Sequence, residues 1–67
     1  MEFDGSKIRQ LREAAGMTQE DLGVIAGSTQ KKMTFIENEL QATTFDVITR
    51  IADHFGVMID ELRKDVI

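Results

Sequence analysis

The stretch that decides the fold is Thr18–Asn38, TQEDLGVIAGSTQKKMTFIEN. Thr18 reads as a helix cap, and Asp21 three residues later completes a capping-box pattern, although Glu is the usual partner. Leu22, Ile25 and Ala26 follow at i, i+3 and i+4, the spacing of one helical face. Gly27 stops this helix, and its place in the turn favours φ > 0. Thr29 caps the next segment, about Gln30–Asn38, in which Met33 and Ile36 share a face. Only Gly27, Ser28 and Thr29 separate the two helices, so the axes must cross steeply, as in a helix-turn-helix unit. Leu22 and Ala26 face Met33 and Ile36 across that crossing. Gly23 keeps the contact small, where a larger side chain would push the helices apart.

Outward from this unit the punctuation is similar. Ser6 is expected to cap a first helix ending near Ala15, with Ile8 and Leu11 on one face and Gly16 at the C-cap. Thr44 caps a helix Phe45–Phe55 whose apolar stripe is Phe45, Ile48, Ile51, Ala52 and Phe55, read as core, and Gly56 ends it. A last short helix is expected over about Ile59–Lys64. No segment alternates as a strand does, so the fold class is all-α, five short helices without a sheet. Glu2-Phe3 and Gly5-Ser6 have the composition of cloning remnants.

Sixty-seven residues leave room for a single domain, 1–67, with the helix-turn-helix unit at about 19–38. A chain of this size buries only roughly 60% of its unfolded surface. It has no Cys and one His, so neither disulfides nor a metal are at hand to staple it. His54 reads as a surface residue of the fourth helix. No apolar run approaches the length of a membrane span and no signal-peptide pattern is present, so a cytoplasmic location is expected. The acidic pairs Glu20-Asp21 and Asp60-Glu61 sit in first turns of helices, where the dipole favours carboxylates, and no nucleophile–base set or Gly-rich phosphate loop is visible. An enzyme is therefore not expected, and neither is a cofactor.

The net charge is -4, which on its own argues against a nucleic-acid partner. The charge is unevenly spread, however. Residues 28–36 contain no acid and carry Lys31 and Lys32, which leaves -6 on the rest of the chain.

With Gly16-Met17-Thr18-Gln19-Glu20-Asp21-Leu22, Ala26-Gly27, Ile36-Glu37-Asn38, Ile51-Ala52-Asp53 and Gly56-Val57, the chain resembles the Cro/CI-type (XRE-type) helix-turn-helix repressors of bacteria and phages. The resemblance runs from about Lys7 to Leu62 without insertion. It implies a lambda-repressor-like domain of five helices, major-groove binding to double-stranded DNA through the third helix, and a two-fold homodimer. At ~100° per residue, Met33 and Ile36 mark the inward side of that helix, and Lys31, Thr34, Phe35 and Asn38 point outward. Gln30 lies on the flank near the N-terminus of the helix.

Chemistry then suggests roles. Gln30 can pair with adenine and Lys31 with guanine O6 and N7, while Thr34 can reach a phosphate or a thymine methyl. Lys32 reads as a phosphate contact or solvated surface. Gln19, Thr29 and Asn38 match family positions that touch the DNA backbone. Glu37 falls on the inward flank, where a carboxylate needs a partner. Arg12 matches the family position that pairs with it. Met58, Ile59, Leu62, Val66 and Ile67 supply apolar area for a small dimer interface.

The departures from the family pattern are as informative. Relatives often place Gly and then basic residues after the third helix, whereas here the loop reads Glu39-Leu40-Gln41-Ala42-Thr43. Phe35 stands where Arg or Gln often reads DNA, and can meet either a thymine methyl or a protein. Val24 and Ile25 are apolar where relatives are often polar, and Met58 replaces a common capping Ser. The leading expectation is a sequence-specific, repressor-like regulator of transcription. The alternative is a protein-interaction module on the same scaffold, such as the antitoxin of a toxin–antitoxin pair or a partner-dependent regulator.

Overall fold

The computed structural model describes residues 3–39 and 43–64. Four α-helices follow in order: α1 (Gly5–Ala14), α2 (Gln19–Ile25), α3 (Gln30–Glu37) and α4 (Phe45–Phe55). The fifth helical segment is a single 3-10 turn, Ile59–Leu62, rather than an α-helix reaching Lys64. One isolated antiparallel bridge, Phe3 to Arg63, joins the two ends of the described chain.

The caps explain where the helices begin. The Thr18 hydroxyl accepts from the Asp21 N–H at 3.0 Å, and the Asp21 carboxylate accepts from the Thr18 N–H at 3.0 Å, so the capping box at α2 is complete. Thr29 and Thr44 accept from the backbone N–H groups of Lys32 and Val47 at the starts of α3 and α4. At α1 the sequence reading misplaced the cap. Asp4, not Ser6, is the N-cap, and its carboxylate accepts from the Ser6 and Lys7 N–H groups. The carboxylate can satisfy two amides at once, which moves the helix start forward to Gly5.

Every helical segment contributes at least one fully buried aliphatic side chain: Ile8 from α1, Leu22 from α2, Met33 from α3, Ile48 and Ile51 from α4, and Leu62 from the 3-10 turn. Two expectations fail here. Phe45 heads the apolar stripe of α4 but is 60% exposed, because it occupies the first helical position, beyond the reach of the other elements. Leu62, expected on a dimer surface, is 0% exposed and belongs to the core. Ile59 is half-buried against that core as well. Of the expected dimer residues, Met58 alone is exposed among those described. Val66 and Ile67 lie outside the described residues, as do Leu40, Gln41 and Ala42 of the loop after α3.

Close approach rather than turn geometry fixes two glycines. A Cβ on Gly23 would lie 2.9 Å from the carbonyl carbon of Thr29, so α2 and the start of α3 meet backbone to backbone. A Cβ on Gly5 would lie 2.7 Å from the Glu37 carbonyl oxygen and closer still to that of Ile36. The start of α1 therefore rests directly on the end of α3. Phe3 packs on the core, and the Asp4 N–H donates to the Leu62 carbonyl at 2.7 Å. Phe3, Asp4 and Gly5 are thus integral parts of the fold, while Glu2 lies outside the described residues.

Gly5→Ala should lower stability by about 1–3 kcal/mol, since backbone carbonyls must give way. Ser6→Ala, at an exposed position that caps nothing, should stay within about 0.5 kcal/mol of the parent. Thermal denaturation of the two variants beside the parent checks both; equal losses would return the N-terminal role to Ser6.

Candidate nucleic-acid interface

The exposed face of α3 begins at its cap. Thr29, Gln30, Lys31 and Lys32 are exposed, as is Asn38 at the C-cap. Thr34 and Phe35, expected to point outward, are half-buried. For Thr34 the reason is a neighbour on α2: its hydroxyl donates to Gln19 Oε1 at 2.8 Å, with the Gln30 carbonyl oxygen 3.1 Å away as the other acceptor. The hydroxyl expected to reach a phosphate is therefore engaged within the domain, and the Thr34 methyl is the group left for an outside contact.

Gln19 is likewise tied at both ends of its amide. Its Oε1 accepts from Thr34, and its Nε2 donates to Glu37 Oε1 at 3.1 Å. Glu37 is buried, its side chain only 1% exposed. Arg12 donates to it twice, from Nε at 2.6 Å and Nη2 at 3.1 Å, and gives its remaining Nη1 to the Met17 carbonyl at 2.8 Å. The hydrogen bond to Glu37 raises the Arg12 pKa above its ordinary value despite an opposing effect of burial. The chain Arg12–Glu37–Gln19–Thr34 runs from α1 through α3 to α2 and back to α3. Spacing in sequence gave no sign of the Gln19–Thr34 link, which depends on the crossing of two helices.

The Asn38 Nδ2 donates to the Thr34 carbonyl at 2.9 Å, which leaves its side-chain oxygen and one amide hydrogen for other contacts. The Lys31 ammonium lies 5.9 Å from the centroid of the Phe35 ring, one turn further along α3. Beside Lys32 a shallow open cleft is lined by Ser28, Thr43 and Thr44 together with Ile36 and Val47.

Charge pairing sharpens this face. Five of the eight basic residues are matched to acids: Arg9 to Glu13, Arg12 to Glu37, Arg50 to Asp46, Arg63 to Asp60 and Lys64 to Glu39. Lys31 and Lys32 form no ion pair with any described acid. Many of the acids also have structural partners, such as Asp4, Asp21 and Glu61 at segment starts. The chain is acidic, but of its three basic residues without an ion pair to a described acid, two, Lys31 and Lys32, lie side by side on α3, and the third, Lys7, lies on α1.

A family profile described as a helix-turn-helix domain matches residues 5–64. The chain belongs to that family. Among solved structures the helix-turn-helix domain is similar to the P22 c2 repressor protein in complex with synthetic operator 9T, with a TM-score of 0.86 and 19% identity over 96% of this chain and 97% of that one. It is similar as well to the restriction-modification controller protein C.AhdI from Aeromonas hydrophila, with a TM-score of 0.78 and 24% identity over 85% and 86% of the two chains. A chain of the SinR protein/SinI protein complex gives a TM-score of 0.82 and 22% identity, over 91% of this chain and 60% of that one. No curated protein sequence matches the chain. At these identities the likenesses establish the fold, a lambda-repressor-like arrangement in which α2 and α3 form the helix-turn-helix unit. Among the described residues of the domain, no helix is long and apolar enough to cross a membrane.

Two measurements test the supports of this face. Arg12→Ala leaves the Glu37 carboxylate buried with Gln19 as its remaining side-chain donor, and should cost about 3–5 kcal/mol in chemical denaturation. A loss near zero would remove the pair from the fold's essentials. The Asp21 carboxyl has its pKa held below the ordinary value, first by the Thr18 backbone N–H and then by the Thr18 side chain. Its contribution is therefore present above the ordinary Asp range and lost as pH falls through the lowered folded value. Asp21→Asn should remove that share of the acid dependence, so parent and variant stability curves should converge at low pH.

Proposed function

We propose that this helix-turn-helix domain is a sequence-specific DNA-binding regulator of transcription, acting as a homodimer. The observation that carries the reading is the placement of exposed Gln30 and of Lys31 and Lys32, free of ion pairs with the described acids, in the acid-free stretch 28–36 of a scaffold that matches an operator-bound repressor. In this reading α3 enters the major groove. Gln30 pairs with adenine N6 and N7, and Lys31 donates to guanine O6 and N7. The Thr34 methyl supplies apolar contact. Lys32, Thr29 and Asn38 hold the sugar–phosphate backbone, and Gln19 adds to this from the start of α2. Two monomers read half-sites about 34 Å apart, one turn of the duplex. Their contact surface lies around Met58, since Leu62 is committed to the core.

The same scaffold supports a second reading, contact with a protein partner. It is favoured by the exposed apolar side chains Val24, Phe45 and Met58, and by the likeness to a chain in a two-protein complex. The two readings differ in salt dependence. Binding through phosphates releases counterions and weakens steeply as salt rises.

In vitro selection of duplex sites at two salt concentrations should return one preferred sequence whose affinity falls with salt. Lys32→Ala should weaken all sequences alike and reduce the salt slope by about one. Lys31→Ala should cost about 1–3 kcal/mol on the selected site and relax the preference at one guanine. Failure to enrich any site even at low salt would reject the DNA reading.

A further inference from the structure

Phe35 is an oddity on α3. It is half-buried, yet it is not among the apolar side chains of the described residues that pack on the core. The Lys31 ammonium lies instead over the ring, 5.9 Å from its centroid. The two residues are four apart on one helix, the separation at which side chains meet. The distance lies within the range at which the negative face of an aromatic ring attracts a cation. Lys31 forms no ion pair with the described acids, so within the described domain the ring is what competes with water for its ammonium.

We infer that Phe35 is a positioning residue for Lys31 rather than a base reader in its own right. The inference rests on the proposal that α3 reads DNA. A lysine side chain has many rotamers, and fixing one on binding costs conformational entropy. Phe35 draws the Lys31 side chain along the helix and holds its ammonium beside the ring, which leans back over the turn that carries Lys31. The cation is thereby preset beside the ring instead of sweeping the groove. Thr34 cannot fill that role, because its hydroxyl is engaged by Gln19. The guanine selected by Lys31 is then the one facing the Phe35 ring, and the sharpness of that selection depends on an aromatic group at position 35.

The test combines a spectroscopic measurement on the free protein with a mutant cycle on DNA. In the free parent at low salt, NMR should show the Lys31 ε-methylene protons shifted upfield by the ring. The shift should vanish in Phe35→Leu and persist in Phe35→Tyr. Unshifted protons in the folded parent overturn the inference whatever the DNA results. On the selected duplex, Phe35→Leu should weaken binding roughly two- to five-fold, blur preference at the same base pair as Lys31→Ala, and leave the salt slope unchanged because no charge is lost. Phe35→Tyr should retain the parent preference. In a Lys31→Ala background, Phe35→Leu should have no further effect. If Phe35→Leu instead erases preference at a different base pair, with effects additive to those of Lys31→Ala, Phe35 reads its own base and the positioning role is refuted. If the parent enriches no site while the upfield shift is present, the DNA reading fails and the inference falls with it; enrichment without coupling rejects the inference alone.

Discussion

The arrangement of this small domain depends on the burial of one carboxylate. Glu37 lies at the end of α3 on the side that faces the scaffold, where an ionised group without partners would be costly. Three N–H groups meet it, two from Arg12 and one from Gln19. Because these donors come from α1 and from the first position of α2, the carboxylate is satisfied in one relative placement of three helices. Arg12 extends the constraint to the α1–α2 connection through the Met17 carbonyl. A helix of eight residues is too short to be stable in isolation. Here it is clamped at its C-terminal end by charge and pressed at its middle by Met33 and Ile36. A buried ion pair adds little net stability compared with an apolar replacement, but it penalises every alternative packing in which the charges separate. For a helix meant to present side chains outward, orientation matters more than a further increment of stability.

What was legible in the sequence divides along a physical line. Helix boundaries set by local chemistry were readable. Thr18, Thr29 and Thr44 cap as expected, and Gly27 adopts φ 66° in the turn. Asp4 was missed because Ser6 is an acceptable cap by the same rule, and the rule does not say which of two candidates will satisfy two amides at once, as the Asp4 carboxylate does. The core was readable wherever helical spacing was supported from both sides. It failed at Phe45, where the stripe continues in sequence after the neighbouring elements have ended. It failed again at Leu62, whose burial depends on how the 3-10 turn folds back. The face of α3 was readable for Gln30 and Lys31, but not for Thr34. Angular position on one helix says where a side chain points, and says nothing of Gln19 waiting on another.

The acidic composition can now be placed. By net charge alone, a chain at -4 is a poor ligand for a polyanion, yet net charge is the wrong quantity. Ion pairs at the surface contribute little stability individually, but they have an electrostatic effect on what the rest of the surface presents. Arg9, Arg50, Arg63 and Lys64 each stand beside a carboxylate, so their fields largely cancel beyond a Debye length of about 8 Å at physiological salt. Glu39 illustrates the redistribution. It occupies a left-handed conformation, φ 59°, directly after α3, where the related repressors often carry Gly and then bases. Its charge is turned to Lys64 at the far end of the described chain. The repulsive charge nearest the C-terminal end of α3 is thus partnered within the domain, and Lys31 and Lys32 are left to set the local field. On the proposed DNA-binding reading, few phosphates can be neutralised by two lysines, so attraction to the backbone is modest, and discrimination comes from how well the few outward side chains are held. The buried Arg12–Glu37 pair, the Gln19–Thr34 link and the ring beside Lys31 all act on that same quantity.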